Sequence, residues 1–490
     1  MSLTLAPSGV APMAAARDRA LAWAVPAALF MLAIAIRSAA AGVVTFPTNE
    51  GSAAYVGVAQ NLLEGRGLVS DAIWSYATPP LVLPKPAFEL WMPMATFMVA
   101  LPMGILGATF GAAQLGSVLL GAAIAPLTWL VAREATGRMT LPAGRRTAVA
   151  VSSGIIAAVI GPFVIAAAVP DSTTPFLILG TASGIVMARQ LQRPGWLVGL
   201  GLGGLLGLAY LSRQEAAYLG VCFALLALVA LRAAPVGGRW AFFGRTFLPT
   251  AIGGLAVVTP WLLRQLSTFG TLFPGQALEN AYLARNEQIH AYLERPTLGS
   301  FLAQGPGTIL GHQLDALLHD LVTVLVLPAM PIGLIGLLSL VALRRSASPR
   351  EMTALRCLLV AGAITYLVTS LLFPVATLWG TFLHASGPLV VGLIVVACLG
   401  ADAAVAAIGH RRAWQHGNAW LAPVAMLAIA LPFAALQVGI VVAQAMSQQA
   451  RVEAVATALA LQPELMTATG AAAGPARQAV LISDRPIWLA

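Results

Sequence analysis

Charge is scarce in this chain. Only 9% of its 490 residues are Asp, Glu, Lys or Arg, against about 25% in an average soluble protein, which excludes a soluble domain with a solvated surface. Lysine is scarcer still: Lys85 stands alone, and every other basic side chain of this class is arginine. The three cysteines, Cys222, Cys357 and Cys398, all lie inside apolar runs. They read as small core residues and imply neither a disulfide framework nor a metal site. The net charge of +9 does not point to nucleic acid, because the arginines come in short clusters between apolar runs, as topology signals do. No repeat of fixed period is present, nor the paired broken segments of an inverted-repeat transporter. Nothing calls for a cofactor.

What the chain has in abundance is apolar length. Hydrophobic residues make up 59%, in runs near 21–39, 94–109, 112–132, 147–169, 174–190, 196–212, 216–231, 247–264, 316–342, 353–373, 384–406 and 419–443. Most are long enough to cross a hydrocarbon core of about 30 Å, so an all-α polytopic membrane protein is expected. The first run follows Arg17 and Arg19 and reads as an uncleaved helix, with Ser38-Ala39-Ala40-Ala41 leaving signal cleavage open.

Arginine content sorts the loops. Arg17/Arg19, Arg133/Arg138/Arg145/Arg146, Arg189/Arg193, Arg232/Arg239/Arg245, Arg344/Arg345/Arg350 and Arg411/Arg412 belong on the cytoplasmic side. The assignment is self-consistent if the 94–109 run, short and interrupted by Pro102, Gly104 and Gly107, is an interfacial or re-entrant helix that stays outside. About eleven crossings then remain. The expected division is a cytoplasmic N-terminus at 1–20, a membrane domain at 21–443 and a short outer tail at 444–490, whose AVLISD stretch (479–484) reads as one strand after a Gly474-Pro475 linker. Within the membrane domain, 46–93 is the first outer loop and 265–315 a long outer loop.

The outer loop at 46–93 concentrates the polar chemistry: Glu50, Glu64, Asp71 and Glu89, the single lysine, two tryptophans and a run of prolines. Thr48 or Asn49 can cap a helix from about Glu50 to Glu64, closed by Gly65 or Gly67. Tyr55, Ala59, Leu62 and Leu63 share one face and Gln60, Asn61 and Glu64 another, which suits a helix lying flat at the interface. Glu50 falls in the first turn, where the helix dipole favours a carboxylate; a simple helix-start acid is the plain alternative. Lys85 sits between two prolines on the side that is otherwise poor in positive charge, and is either a chance lysine or an anion contact. Arg37, Arg213 and Arg264 lie at or just inside the outer ends of apolar runs, where a buried charge needs a partner. Together they suit a phosphate or pyrophosphate, although Glu215 is an alternative partner for Arg213. Asp171 either caps the helix that follows or serves a site. His384, in GTFLHASG, reads equally as an interfacial histidine or a substrate ligand.

These segments carry a family likeness. The loop TNEGSAAYVGVAQNLLEGRGLV with LPKPAFELWMP resembles the first outer loop of the C-type membrane glycosyltransferases, GT-C, most of all the protein-mannosyltransferase and aminoarabinose-transferase branch. GLLGLAYLSRQEAAYL and TPWLLRQLSTFGTLFPG are similar to the same branch, and the likeness spans about residues 20–275. It implies a GT-C-like fold and transfer of a sugar from a polyprenyl-phosphate carrier to an acceptor at the outer face of the cell membrane. It also implies Glu50 as catalytic base and Asp171 as the second acid. The positive charge that a departing lipid phosphate needs is expected from Lys85, Arg213, Arg264 and Arg37, with His384 as a further substrate-binding candidate. Where the family commonly has Asp-Glu, this chain has Asn49-Glu50. Two rivals are weighed against this reading. A transporter or flippase of a lipid-linked or anionic substrate would place charges near mid-membrane and openings on both faces, whereas here polar groups gather on one. An inactive relative would bind polyprenyl lipid without turnover.

Overall fold

The computed structural model describes residues 10–73, 82–273, 276–289, 295–343, 352–414 and 418–460. The strand expected at 479–484, its linker and the arginine cluster at 344–350 lie outside the described residues. Helix dominates, as backbone polar groups in hydrocarbon require. Among the described residues, eight helices are long and apolar enough to cross a membrane, nine if a bent pair is one span, with three shorter apolar helices besides. One two-stranded antiparallel ladder is present among the described residues, pairing Val69 with Pro86 and Ser70 with Lys85. The main core runs through the bundle centre, where the Gly387–Arg411 helix packs on its neighbours through residues such as Val391, Ile394 and Val395.

Four runs depart from the expected simple spans, each for a local reason. The 147–169 run breaks into Ala143–Val159 and Gly161–Ala168, bent by 45°, because Pro162 cannot donate to the carbonyl four residues back. The 316–342 run begins earlier, as Pro306–His319, passes through a π-helical turn at Asp320–Val326, and resumes as Ile332–Leu343 beyond Pro328 and Pro331. The long loop expected at 265–315 is correspondingly shorter, since the preceding helix, Arg239–Phe269, continues until Gly270 ends it in a left-handed conformation. The last helix, Leu421–Ala460, does not stop near 443 but continues through 444–460, a stretch of mostly good helix formers without glycine or proline. The 94–109 run forms the 13-residue Met94–Leu106 helix, about 20 Å long and so short of a full crossing.

Close approach of two helices decides one wall of the bundle. In Trp196–Ser212, glycines 199, 203 and 207 recur every fourth residue and face Arg239–Phe269, the small-residue spacing that lets membrane helices touch backbone to backbone. A Cβ on Gly203 would run into the Thr250 carbonyl and the Gly254 amide, whereas one on Gly204 would meet nothing within 4 Å. Gly203→Val should therefore lower the thermal-unfolding midpoint in detergent, by the equivalent of about 1–3 kcal/mol, while Gly204→Ala leaves it unchanged or raised.

Candidate active site

One end of the bundle holds a cavity of about 750 Å³, lined by Glu50, Lys85, Asp171, Arg213 and His384. Five of the seven side chains singled out in the sequence are thus brought together from the loop at 46–93, the 169–173 turn, the 213–215 turn and the segment at 373–384.

The first wall starts with a cap. The Asn49 side-chain oxygen accepts from the Ser52 amide at 2.7 Å and starts the Glu50–Leu63 helix, which places Glu50 in the first turn; Gly65 and Gly67 follow in left-handed conformations. Asn at position 49 therefore performs the capping job that Asp would also perform. Tyr55 and Val58 pack inward against Phe88, Met92 and Trp261. Asn61, expected on the polar face, is buried as well, because its amide donates to the Val69 carbonyl at 2.8 Å and to Asp71 at 3.0 Å. Phe88 has φ of 65°, a conformation that a bulky side chain adopts only when its surroundings impose it. Here Arg264 donates to the Ala87 carbonyl at 2.8 Å and Gln265 to the Phe88 carbonyl at 2.9 Å, while the Phe88 ring lies between Tyr55 and Trp261.

Arg264 accordingly does not line the cavity; its guanidinium, stacked over the Trp261 and Phe269 rings, supports the wall from behind. Lys85 does line it, and its ammonium pairs with Glu89 at 3.1 Å. The anion anticipated for Lys85 is thus present in the protein itself. The four-residue spacing of Lys85 and Glu89 was the signal available for that pair.

The second wall is a network around Asp171. One carboxylate oxygen accepts from the Thr173 amide at 2.7 Å, starting the next helix, so the capping role holds; the other lies 3.4 Å from His384 Nδ1. Thr173 Oγ1 approaches the same nitrogen at 2.6 Å. Arg213 occupies the break between Trp196–Ser212 and Ala216–Ala233, donating to Ser172 Oγ and pairing with Glu215, both at 2.7 Å. The alternative partner noted for Arg213 is the actual one, and its Nε has no partner. Gln214 donates to the Leu90 carbonyl at 2.8 Å, tying this turn to the first wall. Tyr55, Thr173 and Tyr218 were not anticipated; as isolated aromatic and hydroxyl residues they carry no spacing signal.

The electrostatics follow from burial. Burial works against the Arg213 charge, but Glu215 and, more weakly, Asp171 outweigh it and raise its pKa. Burial pushes the Tyr55 hydroxyl up to about 12, against the pull of Arg213 and a hydrogen bond with Ser172, so Tyr55 is a neutral phenol. Burial also lowers the His384 pKa; Asp171 opposes the shift and Arg213 adds to it, leaving a neutral imidazole at pH 7. Among the described residues no group of three or more His, Cys, Asp and Glu side chains could hold a metal ion.

Arg37 is not in the cavity. It is fully buried in the Val10–Val43 helix, where its two Nη atoms donate to backbone carbonyls and its Nε has no partner among the described residues, so its expected contact with a lipid phosphate is corrected: the guanidinium is enclosed within the bundle.

The arrangement of helices, the loop at 46–93 and the cavity can be compared with known structures. Its fold is similar to that of ArnT. The structure of ArnT from Cupriavidus metallidurans bound to undecaprenyl phosphate matches with a TM-score of 0.55 at 14% identity, covering 96% of this chain and 85% of ArnT. The apo form of ArnT matches at 0.52 and 13%, covering 97% and 85%. The oligosaccharyltransferase of Archaeoglobus fulgidus, in its complex with zinc and sulfate, gives a TM-score of 0.44 at 11% identity over 83% of this chain and 53% of its own. No family model matches the sequence, and no curated protein matches it. The GT-C-like membrane fold read from the sequence is the fold observed.

The neutral state of His384 has a consequence for stability. Its folded pKa lies below the ordinary value of about 6.5, so below that pH the unfolded chain binds more protons and stability falls as pH drops towards the folded pKa. Comparing unfolding midpoints between pH 5 and 8, wild type should lose more stability on acidification than His384→Gln.

Proposed function

We propose that this protein is an integral-membrane glycosyltransferase that moves a sugar from a polyprenyl-phosphate carrier to an acceptor at the outer face of the cell membrane, by inverting single displacement. The observation that carries the reading is the meeting of carboxylates and cations from distant parts of the chain in one cavity, in a fold similar to that of ArnT, a protein that binds undecaprenyl phosphate. The N-terminus is cytoplasmic in this reading. The loop at 46–93 and the Met94–Leu106 helix form the outer platform of a membrane domain that begins near residue 21.

Single displacement needs a base for the acceptor proton, a contribution of typically ~10²–10⁴-fold, and positive charge on the departing phosphate. Glu50, in the first turn of its helix at the cavity wall, is the base. Asp171 orients the acceptor, with His384 as a neutral hydrogen-bonding neighbour. Arg213 is the principal phosphate contact: Glu215 keeps it charged, and its Nε has no partner within the protein. Lys85 contributes from the opposite wall through its pair with Glu89, and Arg264 acts by holding residues 87 and 88 in place.

Purification with the copurifying lipid identified by mass spectrometry, followed by an assay for loss of its sugar, tests the reading. Glu50→Gln should lower turnover by about 10²-fold or more with carrier binding largely retained, whereas Arg213→Met should weaken carrier binding itself. Equal turnover in Glu50→Gln and wild type would remove Glu50 as base.

A further inference from the structure

Arg37 is a cation at 0% exposure, and among the described residues it has no carboxylate partner. Nη1 donates to the Ala158 carbonyl at 2.9 Å and to Ala33 at 3.4 Å, and Nη2 to Ala157 at 3.1 Å. A guanidinium in an apolar interior without a counter-ion is costly, so its placement needs a cause.

The cause is the break in the bent helix. In an unbroken helix the Ala157 and Ala158 carbonyls would accept from the amides of residues 161 and 162. Pro162 has no amide hydrogen, and Ile160 turns the chain with ψ of 133°. Both carbonyls sit in the last turn of Ala143–Val159, where the negative end of the helix dipole gathers, and that turn has no basic residue of its own. Arg37, from another helix, is the cation for that end.

Beyond the break, Gly161–Ala168 is held at its far end too. The Ala166 carbonyl accepts from Ser117 at 3.1 Å and Thr174 at 2.7 Å, and the Ala168 carbonyl from Gln114 at 2.7 Å. Asp171 and Ser172 follow within four residues of that end. We infer that Arg37 is a positioning residue for the cavity: by satisfying the broken helix end it fixes the direction of Gly161–Ala168, and so the place where Asp171 meets His384 and Ser172 meets Arg213. It touches no substrate, and its bearing on catalysis rests on the glycosyl-transfer reading of Asp171; its bearing on the 161–173 segment does not.

Hydrogen–deuterium exchange on the full chain in lipid nanodiscs separates the two. In Arg37→Met, amides of residues 163–173 should exchange about 10-fold faster or more, with 143–156 unchanged. Arg37→Gln, which keeps a donor, and Arg37→Lys, which keeps the charge, should fall between Met and wild type. In a transfer assay Arg37→Met should lower kcat with KM for the carrier little changed, and Arg37→Lys should recover part of it. Unchanged exchange at 163–173 in folded Arg37→Met would overturn the inference. So would a uniform rise across the whole chain in all three variants, because Arg37 would then stabilise the bundle at large. If the wild-type chain transfers no sugar, the functional reading fails while the exchange pattern still decides the role of Arg37.

Discussion

Inside hydrocarbon a backbone carbonyl with no partner is expensive, and a helix break or a proline in a helix interior creates one. The side chains that answer those carbonyls hold the molecule together. Arg37 takes the Ala158 carbonyl freed by Pro162, and Gln190 takes the Arg245 carbonyl freed by Pro249, at 2.8 Å. Gln114 bridges Val44 and Ala168, and Gln437 reaches the Pro328 carbonyl at 2.9 Å. In each case the donor comes from a different helix, so satisfying a local defect also joins two distant segments.

The same device builds the cavity. Gln214 holds Leu90, Arg264 holds Ala87 and Gln265 holds Phe88, fixing the proline-rich end of the 46–93 loop against segments more than a hundred residues away. The Phe88 backbone keeps an unfavourable conformation because those bonds and two flanking aromatic rings impose it. Asp320 plays a similar part on the opposite wall. Fully buried, it accepts from Ser370 at 2.8 Å and Thr377 at 2.9 Å, and Thr377 in turn accepts from the Phe382 amide at the start of the short helix that bears His384. The polar groups facing the cavity are few, and most of their geometry is set by groups that do not face it.

Charge within the cavity is managed by pairing. Lys85 with Glu89 and Arg213 with Glu215 are close pairs in a partly dehydrated chamber, where a lone cation or carboxylate would shift its proton equilibrium instead. Pairing keeps Arg213 protonated, and burial keeps His384 and Tyr55 neutral. The chamber therefore presents a firm positive charge beside uncharged hydrogen-bonding groups.

Much of this was legible in the chain itself. The apolar runs fixed the membrane class, because only a helix satisfies its own backbone over that length. Asn49, Glu50, Gly65 and Gly67 marked the outer helix within a residue, because caps and left-handed closures are chemical requirements local to a few positions. Scarce charge in an apolar chain also singled out the loop at 46–93 and the turns near 171, 213 and 384, and side chains from all of them line one cavity. Only the tertiary structure could decide what each charge does. Arg37, Arg213 and Arg264 look alike along the sequence, each an arginine at the end of an apolar run. Three-dimensional placement gives the first to a broken helix end, the second to the cavity and the third to the wall behind it. That difference depends on which carbonyls and carboxylates the fold brings within about 3 Å of each guanidinium, and those partners lie tens to hundreds of residues away along the chain.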